Sequence, residues 1–233
     1  MPLALDLFCG AGGAAMGLHR AGFDIVGVDI RPQPHYPFRF VQADALEPPF
    51  DLSQFDFIWA SPPCQAYTGM QRLNTRAPAR DHPKLIGPVR DMLRRSGTPY
   101  VIENVPGAPL IDPIVLCGSM FGLKVRRHRL FECNFWTMWP SCRHDLEIYP
   151  VPVWGDGRPT RQEVRRARRS PIAVYGDHPQ QPGDKPQRVN RARTLKEGQE
   201  AMRIDWMDWQ SLTQAIPPAY AEFLGRAVIR NLA

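Results

Sequence analysis

A chain of 233 residues, 43% hydrophobic and 22% charged, has the composition of a globular protein and enough length for one α/β domain with a small appendage. Its apolar runs fall far short of the ~20 residues a membrane helix needs, which excludes a membrane-spanning class. The net charge of +6 is concentrated, with 16 Lys and Arg against 7 Asp and Glu between residues 124 and 196, the distribution of a polyanion contact surface on a near-neutral body.

The opening Met-Pro-Leu-Ala-Leu-Asp carries no basic leader pattern, so no export is expected. Residues 3–8 read as a short strand. Cys9-Gly10-Ala11-Gly12-Gly13 is a glycine-rich turn, and residues 14–21 are a helix with Gly22 as its C-cap. Strand, glycine loop and helix open a Rossmann-like nucleotide site, where glycines let a ligand approach the backbone beside a helix N-terminus. Residues 24–29 are a second strand ending in Asp29, about 20 residues past the loop, where a carboxylate reaches ribose hydroxyls. A proline-rich connection follows, and residues 38–44 form a third strand that leaves Asp44 near the same edge.

Phe55-Asp56-Phe57-Ile58-Trp59-Ala60 is an apolar run that reads as a buried strand. Pro62 and Pro63 stop it, since each lacks an N–H and fixes φ. They leave Cys64 on a stiff support at the carboxyl edge of the sheet, a position suited to a nucleophile. Residues 65–80 are polar and aperiodic and read as a loop over the site. A helix is expected over residues 85–95, then a strand over 98–106 that carries Glu103 at its apolar end; a buried carboxylate there requires a partner or a chemical role. Residues 116–122 read as a turn of small residues. Residues 125–132 read as a strand, in which Arg127 and Arg129 would share a face.

From Asn134 to Lys196 prolines, tryptophans and arginines mix. Residues 161–169 are expected to form a basic helix or arm, and residues 178–187 are expected to be mobile. Helical texture returns at 201–209, 211–215 and 221–231. The expected organisation is a catalytic and cofactor-binding core over residues 1–133, a recognition insert over 134–196 and a return to the core over 197–233. The five cysteines (Cys9, Cys64, Cys117, Cys133, Cys142) are odd in number and include no CxxC pair, which fits a reducing cytoplasm. Cys117, Cys133, Cys142 and His144 offer no pair at C-x2–4-C spacing, so no metal is expected.

Phe8 with the glycine loop, Pro63-Cys64-Gln65, Glu103-Asn104-Val105 and Arg127-x-Arg129, in this order, resemble the DNA cytosine-5 methyltransferases, in particular the compact forms of phages and prophages. The resemblance covers the first two-thirds of the chain and the last thirty-odd residues. It implies an α/β, Rossmann-like fold and transfer of a methyl group from S-adenosylmethionine to C5 of a flipped cytosine in double-stranded DNA, by a monomer, in the setting of phage or restriction–modification DNA methylation. By the same resemblance Cys64 is the thiolate that adds to C6, Glu103 supports N3 of the ring with a pKa raised by burial, and Arg129, with Arg127 second, holds the C2 carbonyl. Phe8 lies against the adenine, Asp29 takes the ribose hydroxyls, Asp44 lies near the adenine amino group, Gly10 and Gly12 line the methionine part, and Pro63 and Gln214 are further cofactor contacts. The segment 134–196 stands where the family carries its recognition domain.

Two positions depart from the family pattern. Val125 stands where Gln usually precedes the arginine pair, and the usual Gly-Asn-x-Val-Pro is Thr213-Gln214-Ala215-Ile216-Pro217. Ser61-Pro62-Pro63-Cys64 is also similar to the amino-methyltransferases, but those carry an aromatic residue where this chain has Cys64, which points to carbon methylation. The alternatives are an RNA cytosine-5 methyltransferase of the same fold and a catalytically silent DNA-binding relative.

Overall fold

The computed structural model describes residues 1–67, 82–142, 172–175, 178–179 and 190–232. The expected loop over the site beyond residue 67 and the basic run 161–169 lie outside the described residues, as do all but two residues of the stretch 178–187.

Two compact units divide the chain: residues 1–116, 128–139 and 214–233 form one, and residues 117–127 and 140–213 the other. The second unit takes in the loop from Cys117 and the helical segments after Lys196.

The first unit is built on a seven-stranded sheet of order β3-β2-β1-β4-β5-β7-β6. Its strands are β1 (Leu3–Leu7), β2 (Asp24–Asp29), β3 (Arg39–Gln42), β4 (Phe57–Ala60), β5 (Tyr100–Asn104), β6 (Ile114–Leu116) and β7 (Arg129–Cys133). The first five are parallel, and β7 runs antiparallel between β5 and β6. Every residue of β4 and β5 is buried, which explains the continuous apolar sequence of β4 and the apolar start of β5: helices and loops cover both faces of a parallel sheet. Register decides where the chemistry sits. Leu7 pairs with both Val28 and Ala60, so the segments that leave β1, β2 and β4 emerge at one edge.

Helix α1 (Gly13–Ala21) ends as the sequence predicts, with Gly22 at φ 113° and its N–H on the carbonyls of Leu18 and His19. The last helix, α5 (Pro218–Leu232), packs along α1 through small residues. A Cβ on Gly17 would lie 2.1 Å from the Pro218 carbonyl oxygen, and one on Gly13 would lie 2.4 Å from that of Ile216. Close approach of the two backbones is therefore what these glycines permit. Helix α2 (Ile86–Ser96) carries Pro88 in its first turn, where no intrahelical N–H is lost. Arg90 of α2 forms a bidentate ion pair with Glu132 of β7, both contacts at 2.7 Å, and Glu132 also accepts from the Ile111 N–H. This buried clamp braces the antiparallel edge of the sheet.

The second unit contains the two-residue strands β8 (Ile172–Ala173) and β9 (Asn190–Arg191), paired in parallel. It also holds α3 (Leu195–Met202), whose N-cap Thr194 accepts from the Glu197 N–H. Helix α4 (Trp209–Gln214) closes it. Among the described residues no helix is long and apolar enough to cross a membrane.

Gly17→Ala should destabilise the protein by about 1–3 kcal/mol, the usual range for overpacking a tight contact. Urea unfolding measures it; an unchanged midpoint would mean that α1 and α5 are less closely apposed than this geometry requires.

Candidate active site

The glycine loop leaves β1 through Phe8, which has φ 58°. Positive φ is rare for a bulky side chain and marks a constrained turn. The Cys9 N–H then bonds the Val28 carbonyl, Gly10 has φ 49° and Gly12 has φ 81°. Asp29 fastens this loop to β2: its Oδ2 accepts from the Gly10 N–H and its Oδ1 from the Arg31 N–H, both at 3.0 Å. Each carboxylate oxygen can accept more than one bond, so both retain capacity for a ligand hydroxyl. A Cβ on Gly10 would meet no heavy atom within 4 Å, so open space lies over the loop there. Asp44 is exposed in the turn after β3, where its Oδ1 caps the Leu46 N–H. Gln214 is exposed at the end of α4, two residues before Ile216, whose carbonyl closes on Gly13 at the head of α1.

The second half of the site follows β4 and β5. Pro62 is buried, Pro63 exposed and Cys64 half-buried, and a turn closes from the Tyr67 N–H to the Cys64 carbonyl at 2.9 Å. Asn104, 1% exposed, donates from Nδ2 to the Pro62 carbonyl at 2.9 Å while its Oδ1 accepts from the Val105 N–H at 3.0 Å. Its neighbour Glu103, 5% exposed, pairs with Arg129, Nε to Oε1 at 3.1 Å. The pairing follows from register, because Glu103 stands opposite Phe131 and Asn104 opposite Leu130, close to where Arg129 begins β7. Arg129 also donates from Nη1 to the His128 carbonyl at 2.9 Å. Among the other cysteines, burial pushes up the thiols of Cys9 and Cys117 and pushes that of Cys133 up to about 12. Those three are poorly suited to serve as the free thiolate nucleophile.

Arg127 does not join this group. The strand begins only at Arg129, and Arg127 sits before it with φ 20°, so the alternation that would place both arginines on one face does not extend back to it. Its guanidinium donates to the carbonyls of Thr213 and Val174. Arg127 is a strut of the second unit, tying segments that are distant in sequence.

Two further residues of the site carry no motif. Asp6 of β1 is fully buried and accepts a 3.4 Å bond from the Tyr36 hydroxyl. The Tyr36 ring occupies the space that side chains on Gly12 and Gly27 would fill, and it lies behind the glycine loop as a spacer. Burial raises the Asp6 carboxyl well above its ordinary range, against the lowering effect of the Tyr36 bond. An acidic residue inside the apolar strand Leu3–Leu7 is the signal in the sequence that could have pointed to this pair.

The parallel order, the antiparallel β7 and the loop after β1 make a Rossmann-like α/β fold. Residues 4–109 match the family model described as C-5 cytosine-specific DNA methylase. A structure described as a DNA modification methyltransferase encoded within an E. coli prophage aligns with 100% of this chain and 99% of its own, at 16% identity and a TM-score of 0.61. The S. pombe Dnmt2 methyltransferase aligns at 13% identity and 0.54, covering 99% of both chains. The Entamoeba histolytica methyltransferase EhMeth aligns at 14% and 0.53, covering 100% of this chain and 99% of its own. At these identities the likeness is one of fold. No curated protein matches the sequence.

The raised Asp6 pKa has a sign that can be tested. The folded chain holds this proton when the unfolded chain has released it, so stability falls as pH climbs above the ordinary value of 3.8. Asn does not titrate. The stability of Asp6→Asn relative to the parent should therefore grow between about pH 5 and about pH 8 in urea unfolding. A difference that stays constant with pH would show that Asp6 ionises alike in both states.

Proposed function

We propose that this protein is a DNA (cytosine-5)-methyltransferase that uses Cys64 as nucleophile, Glu103 and Arg129 as the groups that hold the activated ring, and S-adenosylmethionine as methyl donor. One arrangement carries the reading. Asn104 ties the Pro62–Cys64 segment to the end of β5, and the adjacent Glu103 is ion-paired to Arg129. A thiol, a carboxyl group and a guanidinium are thereby anchored to two neighbouring strands.

C5 of cytosine is a poor nucleophile, and addition of the Cys64 thiolate at C6 makes the ring electron-rich. The electron pair displaced from the C5–C6 bond then spreads toward N3 and the C2 carbonyl. Glu103 shares a proton with N3, and Arg129, whose planar group has five N–H donors, donates to the carbonyl oxygen. Loss of the C5 proton after methyl transfer returns the bonding pair to C5–C6 and expels Cys64 as thiolate. S-adenosylmethionine, when bound, supplies an electrophilic methyl group. The residues present suit it: open space over Gly10, acceptor capacity on Asp29 for the ribose, and Phe8 at the strand end for the adenine. Asp44, Gly12, Pro63 and Gln214 complete the proposed cofactor contacts. Reaction at C5 and C6 requires the base outside the stack, so flipping accompanies binding. The basic segment 134–196 is the proposed duplex contact, since lysines and arginines neutralise phosphates.

Cys64→Ser should lose methyl transfer and keep S-adenosylmethionine binding, and a duplex bearing 5-fluorocytosine should trap the parent as a covalent adduct at Cys64. Turnover by the Ser variant, or an adduct on another cysteine, would reject the nucleophile. Unlabelled duplex DNA should suppress labelling of DNA more strongly than RNA does; the reverse would favour the RNA reading.

Arg129→Lys keeps the charge but loses the planar fork, and it should lower kcat by roughly 10²–10³-fold, as loss of an oxyanion donor does. An unchanged kcat would remove Arg129 from the chemistry.

A further inference from the structure

Cys117 and Cys142 are twenty-five positions apart in sequence, but both belong to the second unit, and their sulfur atoms lie within 4.8 Å of one another. Neither takes part in a disulfide. Two sulfurs each ~2.3 Å from a tetrahedral ion stand roughly 3.8 Å apart, so the observed separation accommodates one ion with little movement.

The surroundings of Cys117 suit a ligand better than a core filler. The side chain is fully buried, yet its Sγ faces polar atoms: the Arg126 carbonyl at 2.7 Å and the Ser119 hydroxyl at 3.3 Å. The loop around it is tightly built. The Gly118 N–H bonds the Arg126 carbonyl at 3.1 Å and the Met120 N–H bonds the Cys117 carbonyl at 3.0 Å. A Cβ on Gly118 would lie 2.0 Å from the Val125 carbonyl oxygen. Only glycine fits next to this cysteine, which holds the thiol in one place. Preformed placement of that kind is what a structural metal ligand needs.

We propose that Cys117 and Cys142 bind a thiophilic divalent metal ion, zinc by its preference for thiolate, and that the ion staples the loop 117–127 to the segment that begins at Pro140. Binding replaces two S–H bonds with two metal–sulfur bonds, and both protons leave to solvent. The remaining positions take nitrogen or oxygen donors; in the chain, His128 directly follows Arg127. The staple is independent of the methyl-transfer chemistry. Its role is to hold the second unit together, in the way that structural zinc sites contribute folding energy to small, loop-rich units.

Protein purified without chelator should contain one zinc ion per chain by elemental analysis. Cobalt substituted for it should give a sulfur-to-cobalt charge-transfer band. Cys117→Ser and Cys142→Ser should each weaken zinc binding by more than the roughly 10–100-fold that loss of an outer-shell partner costs. If either variant fails to fold, the parent protein still decides the matter. Peptide mass spectrometry should find Cys117 and Cys142 protected from alkylation with zinc bound and modified after chelation, with Cys64 unchanged as an internal control. Zinc-free protein that stays zinc-free when the metal is added, alkylation unaffected by chelation, or a Cys117–Cys142 disulfide in the purified protein would each overturn the proposal.

Discussion

The site depends on the level register of the parallel strands. Leu7 stands beside Val28 and Ala60, and Ala60 stands beside Ile102, so four strands present their carboxyl ends on one edge. Each segment that follows adds a different chemistry: a glycine loop after β1, a carboxylate at the end of β2, a proline-supported thiol after β4 and a carboxyl–amide pair at the end of β5. In a parallel sheet a slip of one residue would exchange the faces of every side chain on a strand. Burial of β4 and β5 on both faces makes such a slip costly, and it also restricts the choice of residues in them to apolar ones plus a few partnered polar groups.

Those partnered polar groups are where stability and function meet. Asn104 is buried, and each end of its amide makes a bond that a smaller side chain could not, so the segment before Cys64 is anchored by a side chain rather than by ladder bonds that proline cannot donate. Glu103 and Arg129 compensate one another in a setting where either charge alone would be costly. Arg90 and Glu132 repeat that logic at the far end of β7. The strand that carries Arg129 is thus fixed near both ends by ion pairs.

Much of this was legible in the residues. The strand–glycine–helix opening, Asp29, the Pro-Pro-Cys stop and the Glu-Asn pair each combine an apolar run with a residue of unusual local geometry, and geometry of that kind is encoded over a few positions. The arginine pair shows the limit. Alternation in an extended strand would have put Arg127 and Arg129 on one face, but a positive φ at Arg127 starts the strand later, and the two guanidinium groups serve different units. No local rule forecasts that break, because it follows from the carbonyls of Thr213 and Val174, far along the chain.

The cysteines divide in the same way. Sequence by itself determined the fold class, the order of the site segments and Cys64 as the thiol on a rigid support, since all three rest on short-range propensities: proline's missing donor, glycine's access to positive φ and the apolar runs of doubly covered strands. Only the tertiary structure decided that Tyr36 fills the space behind the glycine loop over a buried Asp6, that Gly13 and Gly17 are glycines because another backbone crosses them, and that Cys117 and Cys142 come together without any ligand-like spacing. Each of these is a contact between residues 24 to 203 positions apart, and such contacts are set by how whole elements pack, which no local pattern in the chain records.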